Sequence, residues 1–115
     1  MSLIAIIAFL LGFNTDVDLI SKVREEIRPQ TVFFTEHSNK MFIGLYIGGL
    51  DLIFVQENNK QFPPEQILCH EIAHREYSRM SQKTRDAICH QYETCDTEAY
   101  AQYFTEHWQD CYKRG

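Results

Sequence analysis

The sequence contains no long hydrophobic run. Its most apolar stretch, Leu3 to Leu11, covers nine residues, about half of what an α-helix needs to cross a bilayer. The stretch also lacks the positively charged segment and the small-residue cleavage site that mark a secretory signal peptide. We therefore expect it to form a buried first helix or strand, with a truncated membrane anchor or signal remnant as the alternative. No membrane partner is expected.

Positive charge is scarce as well. The chain has 11 Lys and Arg against 16 Asp and Glu, which gives a formal net charge of −5. Proteins that bind nucleic acid gain much of their affinity from cationic side chains that face phosphates, so direct nucleic-acid binding is not expected. At 115 residues the chain is also too short for two ordinary domains, which usually have about 100–150 residues each. We predict a single domain over residues 1–115.

Closely spaced cysteine pairs are absent too. At least five residues separate any two of the four cysteines, so the short Cys-x-x-Cys spacing of redox and zinc motifs does not occur. Because no secretory signal accompanies the cysteines, we predict reduced thiols. A structural metal site built from Cys89, His90 and Cys95 is a weaker alternative, since the spacing fits no standard zinc site.

Apolar and aromatic residues are abundant enough for a folded core. Hydrophobic residues make up 44% of the chain, with eight Phe and six Tyr, which is too apolar for a disordered protein. The Gly48-Gly49 pair is typical of a two-residue hairpin turn. Three segments rich in β-branched and aromatic residues predict strands: Thr31–Thr35, Met41–Ile47 and Leu50–Gln56. We predict that they form a three-stranded antiparallel meander.

Helical patterns lie on both sides of these strands. A first helix, with Thr15 or Asp16 as its N-cap, is predicted to end at Pro29. Proline is favoured in the first turn of a helix, so Pro64 starts a second helix that runs to about Met80. One or two helical turns are predicted around Ala87–Ile88, and a last helix from the N-cap Asp96 to about Tyr112. A core-facing stripe on that helix is formed by Tyr100, Phe104, Trp108 and Cys111.

The second predicted helix contains the motif His-Glu-x-x-His at residues 70–74. Residues four apart lie on one face of a helix, so the imidazoles of His70 and His74 can bind the same zinc ion. Glu71 projects beside them, where it can accept a proton from a metal-bound water. The alternative is a helix with two solvated histidines and a surface pair between Glu71 and Arg75.

A catalytic zinc site usually has three protein ligands, so a third must come from elsewhere in the chain. Glu98 follows His74 by 24 positions, which allows the last helix to pack on the second and to direct a carboxylate at the metal. Asp96 is the rival third ligand. We prefer Glu98, because Asp96 also suits the N-cap position of the last helix.

The pattern His70-Glu71-x-x-His74 followed by Glu98-x-x-Ala-Gln102-x-Phe resembles the gluzincin arrangement, and most closely the small ImmA/IrrE-type metallopeptidases. The resemblance covers roughly residues 31–108. It implies zinc ligands at His70, His74 and Glu98, with Glu71 as the catalytic base. Gln102 stands where the family has Asp or Asn, a residue that orients a ligating histidine.

The resemblance implies a bacterial cytoplasmic protein that cleaves a repressor or another regulator. We therefore expect a minimal zincin-like α+β domain that acts as a zinc-dependent peptidase. An extended substrate is expected along an edge strand, with Met41–Ile47 as the first choice. The oxyanion of the reaction has four candidate donors: Tyr77, Tyr100, Tyr103 and His107.

Two other functional classes stay open. One is a metal-binding module with little or no catalytic activity. The other is an interaction domain whose histidines bind no metal. Two imidazoles and a carboxylate favour zinc, although iron, cobalt, nickel or manganese can occupy the same ligands.

Overall fold

The computed structural model describes Leu3, residues 13–35 and residues 43–113. Apart from Leu3, the apolar stretch near the start of the chain lies outside the described residues. The first two residues of the strand expected at 41–47 also lie outside them.

The fold is α+β, as predicted, with a small sheet packed against helices. Its strands are β1 (Phe13–Asn14), β2 (Thr31–Thr35), β3 (Gly44–Ile47) and β4 (Leu52–Gln56). Its helices are α1 (Val17–Lys22), α2 (Pro64–Arg79), α3 (Gln82–Tyr92) and α4 (Thr97–Glu106). None of the helices in the described ranges is both long enough and apolar enough to cross a membrane.

The sheet is mixed, with the strand order β1-β2-β4-β3. β2 pairs in parallel with β4, with Thr31 opposite Leu52, and β3 pairs antiparallel with β4. The predicted antiparallel meander is therefore wrong, because β4 lies between β2 and β3. Four of the five residues of β4 are buried, whereas none in β3 is. The more apolar strand takes the centre of the sheet, where both faces and both edges are covered.

The connection between β3 and β4 is longer than the predicted two-residue hairpin. A 3₁₀ turn spans Gly48–Leu50, and Asp51 follows it with a φ of 50° in the left-handed region, which aspartate tolerates better than most residues. The Asp51 carboxylate accepts a hydrogen bond of 2.8 Å from Nε of Arg75 on α2. The start of β4 is thereby tied to the helix that carries the histidine motif.

The helix boundaries follow the local signals at their starts better than at their ends. Asp16 and Asp96 both act as N-caps, as predicted. α1 ends at Lys22, where a single helix to Pro29 was expected. α4 ends at Glu106, and a 3₁₀ turn over Trp108–Cys111 replaces its expected last turn.

The buried core lies between the sheet and α2. The residues of the predicted stripe still contribute to it, since Cys111 is buried and both Phe104 and Trp108 pack on it. The largest fully buried side chains belong to β2, β4, α2 and the segment after α1: Val23, Val32, Phe34, Ile53, Val55, Leu68 and Ile72.

The cysteines form two disulfides, Cys69–Cys111 and Cys89–Cys95. The prediction of reduced thiols is therefore wrong. Cys69 and Cys111 are 42 positions apart, and only the packing of the C-terminal segment on α2 brings them together. The alternative of a metal site around Cys89, His90 and Cys95 is excluded as well, because a disulfide consumes both of its thiolates.

Candidate metal centre

The histidine motif lies in the middle of α2, whose bounds match the prediction closely. Pro63 precedes the helix and Pro64 occupies its first turn, where the missing N–H of proline costs no hydrogen bond. The two histidines face α4, because positions four apart share one side of a helix. Glu71 lies about 100° further round and is buried on the side of the helix that packs on the sheet.

Three polar side chains from α2 and α4 converge at the helix interface. The Nε2 atoms of His70 and His74 lie 3.2 Å apart. Carboxylate oxygens of Glu98 lie 2.8 Å from Nε2 of His74 and 3.3 Å from Nε2 of His70. Ligands bound at about 2.0–2.1 Å in tetrahedral geometry are about 3.4 Å apart. Two of the three separations are close to this value, so the residues present fit a metal ion of this size.

Asp96, the rival for the third position, is occupied elsewhere. Its Oδ1 atom accepts a hydrogen bond of 3.0 Å from the main-chain N–H of Glu98, as an N-cap side chain does. Asp96 thus stabilises the first turn of α4, while Glu98 on that same turn reaches the two histidines.

Two threonines of α4 contact the Nδ1 atoms of the two histidines. The Oγ1 atom of Thr105 lies 2.6 Å from Nδ1 of His70 and donates its proton to the carbonyl of Ala101 at 3.0 Å. Because a hydroxyl has one proton, it accepts from Nδ1–H of His70 in this arrangement, and Nε2 of that ring is then the atom available to a metal. Thr97 Oγ1 lies 3.2 Å from Nδ1 of His74.

Neither threonine is predicted from the sequence. The resemblance implies an orienting role for Gln102, but Gln102 is exposed and its amide donates to Glu106 at 3.4 Å. Thr105 follows Glu98 by seven residues, which is close to two helical turns. That spacing is the signal that places Thr105 on the histidine-facing side of α4.

Glu71 is buried beside the histidine pair, with 6% of its surface exposed. One ligand atom from each of His70, Glu71 and His74 lies within 4.8 Å of the others. Glu98 also contacts both histidines, so Glu71 and Glu98 are both carboxylates close enough to join them in a metal site. Burial, reinforced by the negative charge of Glu98, raises the pKa of Glu71 from 4.5 to about 7.

The edge strand β3 lies directly against Glu71. A Cβ atom at Gly44 would lie 2.7 Å from Cγ2 of Ile67 and 3.0 Å from Cγ of Glu71. Only glycine permits so close an approach of the main chain to the helix. The residue at this position therefore sets the distance between the edge of the sheet and the Glu71 carboxylate.

The alternative of solvated histidines with a surface ion pair does not describe this site. Exposure of the His70 and His74 side chains is only 25% and 15%. Arg75 is buried and binds Asp51 and Glu76 instead of Glu71. Burial lowers the pKa of His70, although the charge of Glu98 partly opposes this effect. A lowered pKa favours the neutral imidazole, which is the form that binds metal.

The four candidate oxyanion donors divide into two aromatic pairs. Tyr77 packs on Tyr100 with 5.5 Å between ring centroids, and its hydroxyl lies 3.5 Å from Sγ of Cys89. Tyr103 stacks on His107 at 4.2 Å. His107 follows Glu98 by nine positions, which places it half a turn away from the histidine-facing side of α4. The His107 ring also donates a hydrogen bond of 2.9 Å to the carbonyl of Tyr103.

The site thus contains a His-Glu-His group on α2 that is positioned to hold a metal ion, with Glu98 of α4 within 3.3 Å of both histidines. Comparisons of the chain with known protein families, with curated proteins and with solved structures find no match.

Proposed function

We propose that the protein is a zinc-dependent peptidase with a minimal zincin-like domain. The observation that carries this proposal is the convergence of His70, His74 and Glu98 on one point, with the buried carboxylate of Glu71 beside it. A structural site needs the ligands but has no use for an additional buried carboxylate. A hydrolytic site needs both.

The ligand set supports zinc and an open site. Two imidazoles and one carboxylate form a common catalytic zinc set, in which the fourth position is left for water or substrate. The side chain of Glu98 is 61% exposed, so this side of the site is open to solvent. A closed structural zinc site would instead have a fourth protein ligand.

Each residue of the site then has a defined task in peptide hydrolysis. Zinc, when bound, makes a water acidic enough to attack at neutral pH and polarises the substrate carbonyl. Glu71 accepts the proton of the attacking water and transfers it to the departing amine. Thr105 and Thr97 hold the imidazoles with their Nε2 atoms towards the shared point.

The substrate of this reaction is an extended peptide that adds to the sheet at β3. β3 is at one edge of the described sheet, and Gly44 brings it against Glu71. Main-chain hydrogen bonds to an edge strand bind a peptide largely independently of its sequence. By resemblance to the ImmA/IrrE type, the peptide would belong to a repressor or another regulator.

The cytoplasmic location implied by that resemblance remains a prediction, and the disulfides argue against it. Disulfides persist mainly in oxidising compartments and are rare in the reducing cytoplasm. Alkylating the protein with a thiol reagent in intact cells, before lysis, shows whether Cys69–Cys111 and Cys89–Cys95 are formed there.

The competing function is a metal-binding module without catalysis, and Glu71→Gln separates the two. The variant keeps all three ligands, so it should bind zinc with the stoichiometry of the wild type. Its amide cannot accept a proton, so cleavage of a proteome-derived peptide mixture, followed by mass spectrometry, should fall by roughly 10²–10⁴-fold. Glu65→Gln, in the first turn of the same helix, is the matched control and should cleave normally. Wild-type cleavage by Glu71→Gln would disprove the proposed mechanism.

A further inference from the structure

A polar groove of about 680 Å³ opens beside the C-terminal half of α2. Its volume is in the range of pockets that bind small ligands or single side chains. The groove is lined by charged side chains from α2 and from the connections at this end of the sheet, together with one tyrosine of β3: Arg28, Tyr46, Asp51, Arg75, Glu76 and Arg79.

Two of the groove carboxylates are already bound by one buried arginine. Arg75 binds Asp51 through Nε at 2.8 Å and Glu76 through a terminal nitrogen at 2.9 Å. A third carboxylate at the rim, Glu26, binds Arg24 at 2.8 Å. Arg75 carries one positive charge for two carboxylates, and the described ion pairs of these acidic side chains are with arginines other than Arg28 and Arg79.

Arg28 and Arg79 have no carboxylate partner among the described residues. Arg28 donates hydrogen bonds to the main-chain carbonyls of Val23 and Ser21, which hold the guanidinium in place without neutralising its charge. Arg79 is exposed in the last turn of α2. The groove therefore offers two guanidinium groups that are not ion-paired with the described carboxylates, one of them held in position by the main chain.

The groove lies next to the C-terminal end of β3, since Tyr46 and Gly48 line it. One end of β3 meets α2 at Gly44 and Glu71, and further along the strand the Tyr46 hydroxyl lies 3.2 Å from Oγ of Ser78. From Glu71 to Arg79 the helix rises about 12 Å. An extended peptide covers that distance in three to four residues.

We propose that this groove binds an Asp or Glu side chain of the substrate, three to four residues from the scissile bond, through Arg79 and Arg28. The proposal rests on the peptidase function proposed above. A guanidinium presents two parallel N–H donors that match a carboxylate. In antiparallel pairing, which is the more stable kind, the peptide runs from the groove towards Glu71. The acidic residue is then on the N-terminal side of the scissile bond.

Cleavage of a peptide mixture by the zinc-loaded full chain tests this specificity. Peptides cut by the wild type should be enriched in Asp or Glu at one fixed position on the N-terminal side. Replacing that residue by Asn or Gln should slow cleavage by about tenfold or more, as expected for a lost charge-assisted hydrogen bond. In the Arg79→Glu variant, the acidic peptide and its Asn or Gln counterpart should be cleaved at the same rate. Lys83→Glu, on the exposed side of α3, makes the same charge change outside the groove and should retain the difference.

A binding measurement tests the role of the groove separately from the peptidase function. The probes are two fluorescent alanine-based peptides with three Glu or three Gln residues, titrated into the zinc-loaded Glu71→Gln variant and followed by anisotropy. Tighter binding of the Glu peptide, lost when Arg79→Glu is added, supports the groove even if the wild type cleaves nothing. Cleavage without a preference for Asp or Glu would contradict the proposed role of the groove but would support the peptidase function. Equal binding of the Glu and Gln peptides, together with no cleavage by the wild type, would contradict both the role of the groove and the peptidase function.

Discussion

The carboxylate of Glu98 lies 2.8 Å from Nε2 of His74, although the two residues are 24 positions apart in the chain. Each belongs to a different helix, and α2 and α4 are closely packed. This carboxylate contacts both imidazoles. We propose that the same three side chains bind the metal.

Removing a ligand should remove the metal, and this tests the assignment of the third position. Wild-type protein should bind one zinc per chain by elemental analysis, whereas His74→Ala and Glu98→Ala should bind much less. Asp96→Ala should retain the zinc and lose about 1 kcal/mol of stability, because only a helix cap is lost. If Asp96→Ala loses the metal and Glu98→Ala keeps it, the assignment is reversed.

Thr105→Val should weaken zinc binding through His70. Valine has nearly the shape of threonine but cannot accept the hydrogen bond from Nδ1–H, so the ring is no longer held in the binding tautomer. Loss of such a partner typically lowers metal affinity by roughly 10–100-fold, which competition with a chromophoric chelator measures. Thr105→Ser restores the hydroxyl and should restore the affinity. Wild-type affinity in Thr105→Val would show that the contact at 2.6 Å does not orient the ring.

The stability of the metal-free protein should depend on pH through Glu71. Its pKa is raised from 4.5 to about 7 in the folded state, so the folded form binds the proton more tightly than the unfolded chain. Stability from this group is complete below pH 4.5 and is lost as the pH rises to about 7. A rise in pKa of this size corresponds to at most about 3 kcal/mol.

Glu71→Gln cannot lose a proton in this range. In chelator-treated samples unfolded with urea, the variant should therefore exceed the wild type in stability at pH 8, and the difference should shrink towards zero at pH 4. A difference that is independent of pH would contradict the titration of Glu71.

The two disulfides should contribute unequally to stability. Their cysteines are 42 and 6 positions apart, and the chain-entropy relation gives about 4 kcal/mol for a loop as long as that of Cys69–Cys111 and about 2 kcal/mol for one as short as that of Cys89–Cys95. Urea unfolding of the paired alanine variants of each bridge measures both values. Free thiols in the native, non-reduced protein would contradict the bridges themselves.

Much of the site could be predicted from the sequence because it depends on local geometry. The motif at residues 70–74 needs only a helix to align its histidines, and Pro64 marks where that helix starts. Asp96 caps α4 through a hydrogen bond to a residue two positions away. Such interactions span one or two helical turns, so residues close together in the sequence are enough to predict them.

Tertiary packing decided the rest. Nothing local in Thr31–Thr35 shows that its neighbour is β4 and not β3; burial of the more apolar strand at the centre of the sheet selected that order. Cys69 and Cys111 meet only because the C-terminal segment packs on α2. Thr105 faces His70 from another helix, and the groove near Arg79 joins three separate parts of the chain. The sequence by itself determined which residues can bind a metal and on which helix they lie. The long-range burial of apolar surface determined what surrounds them.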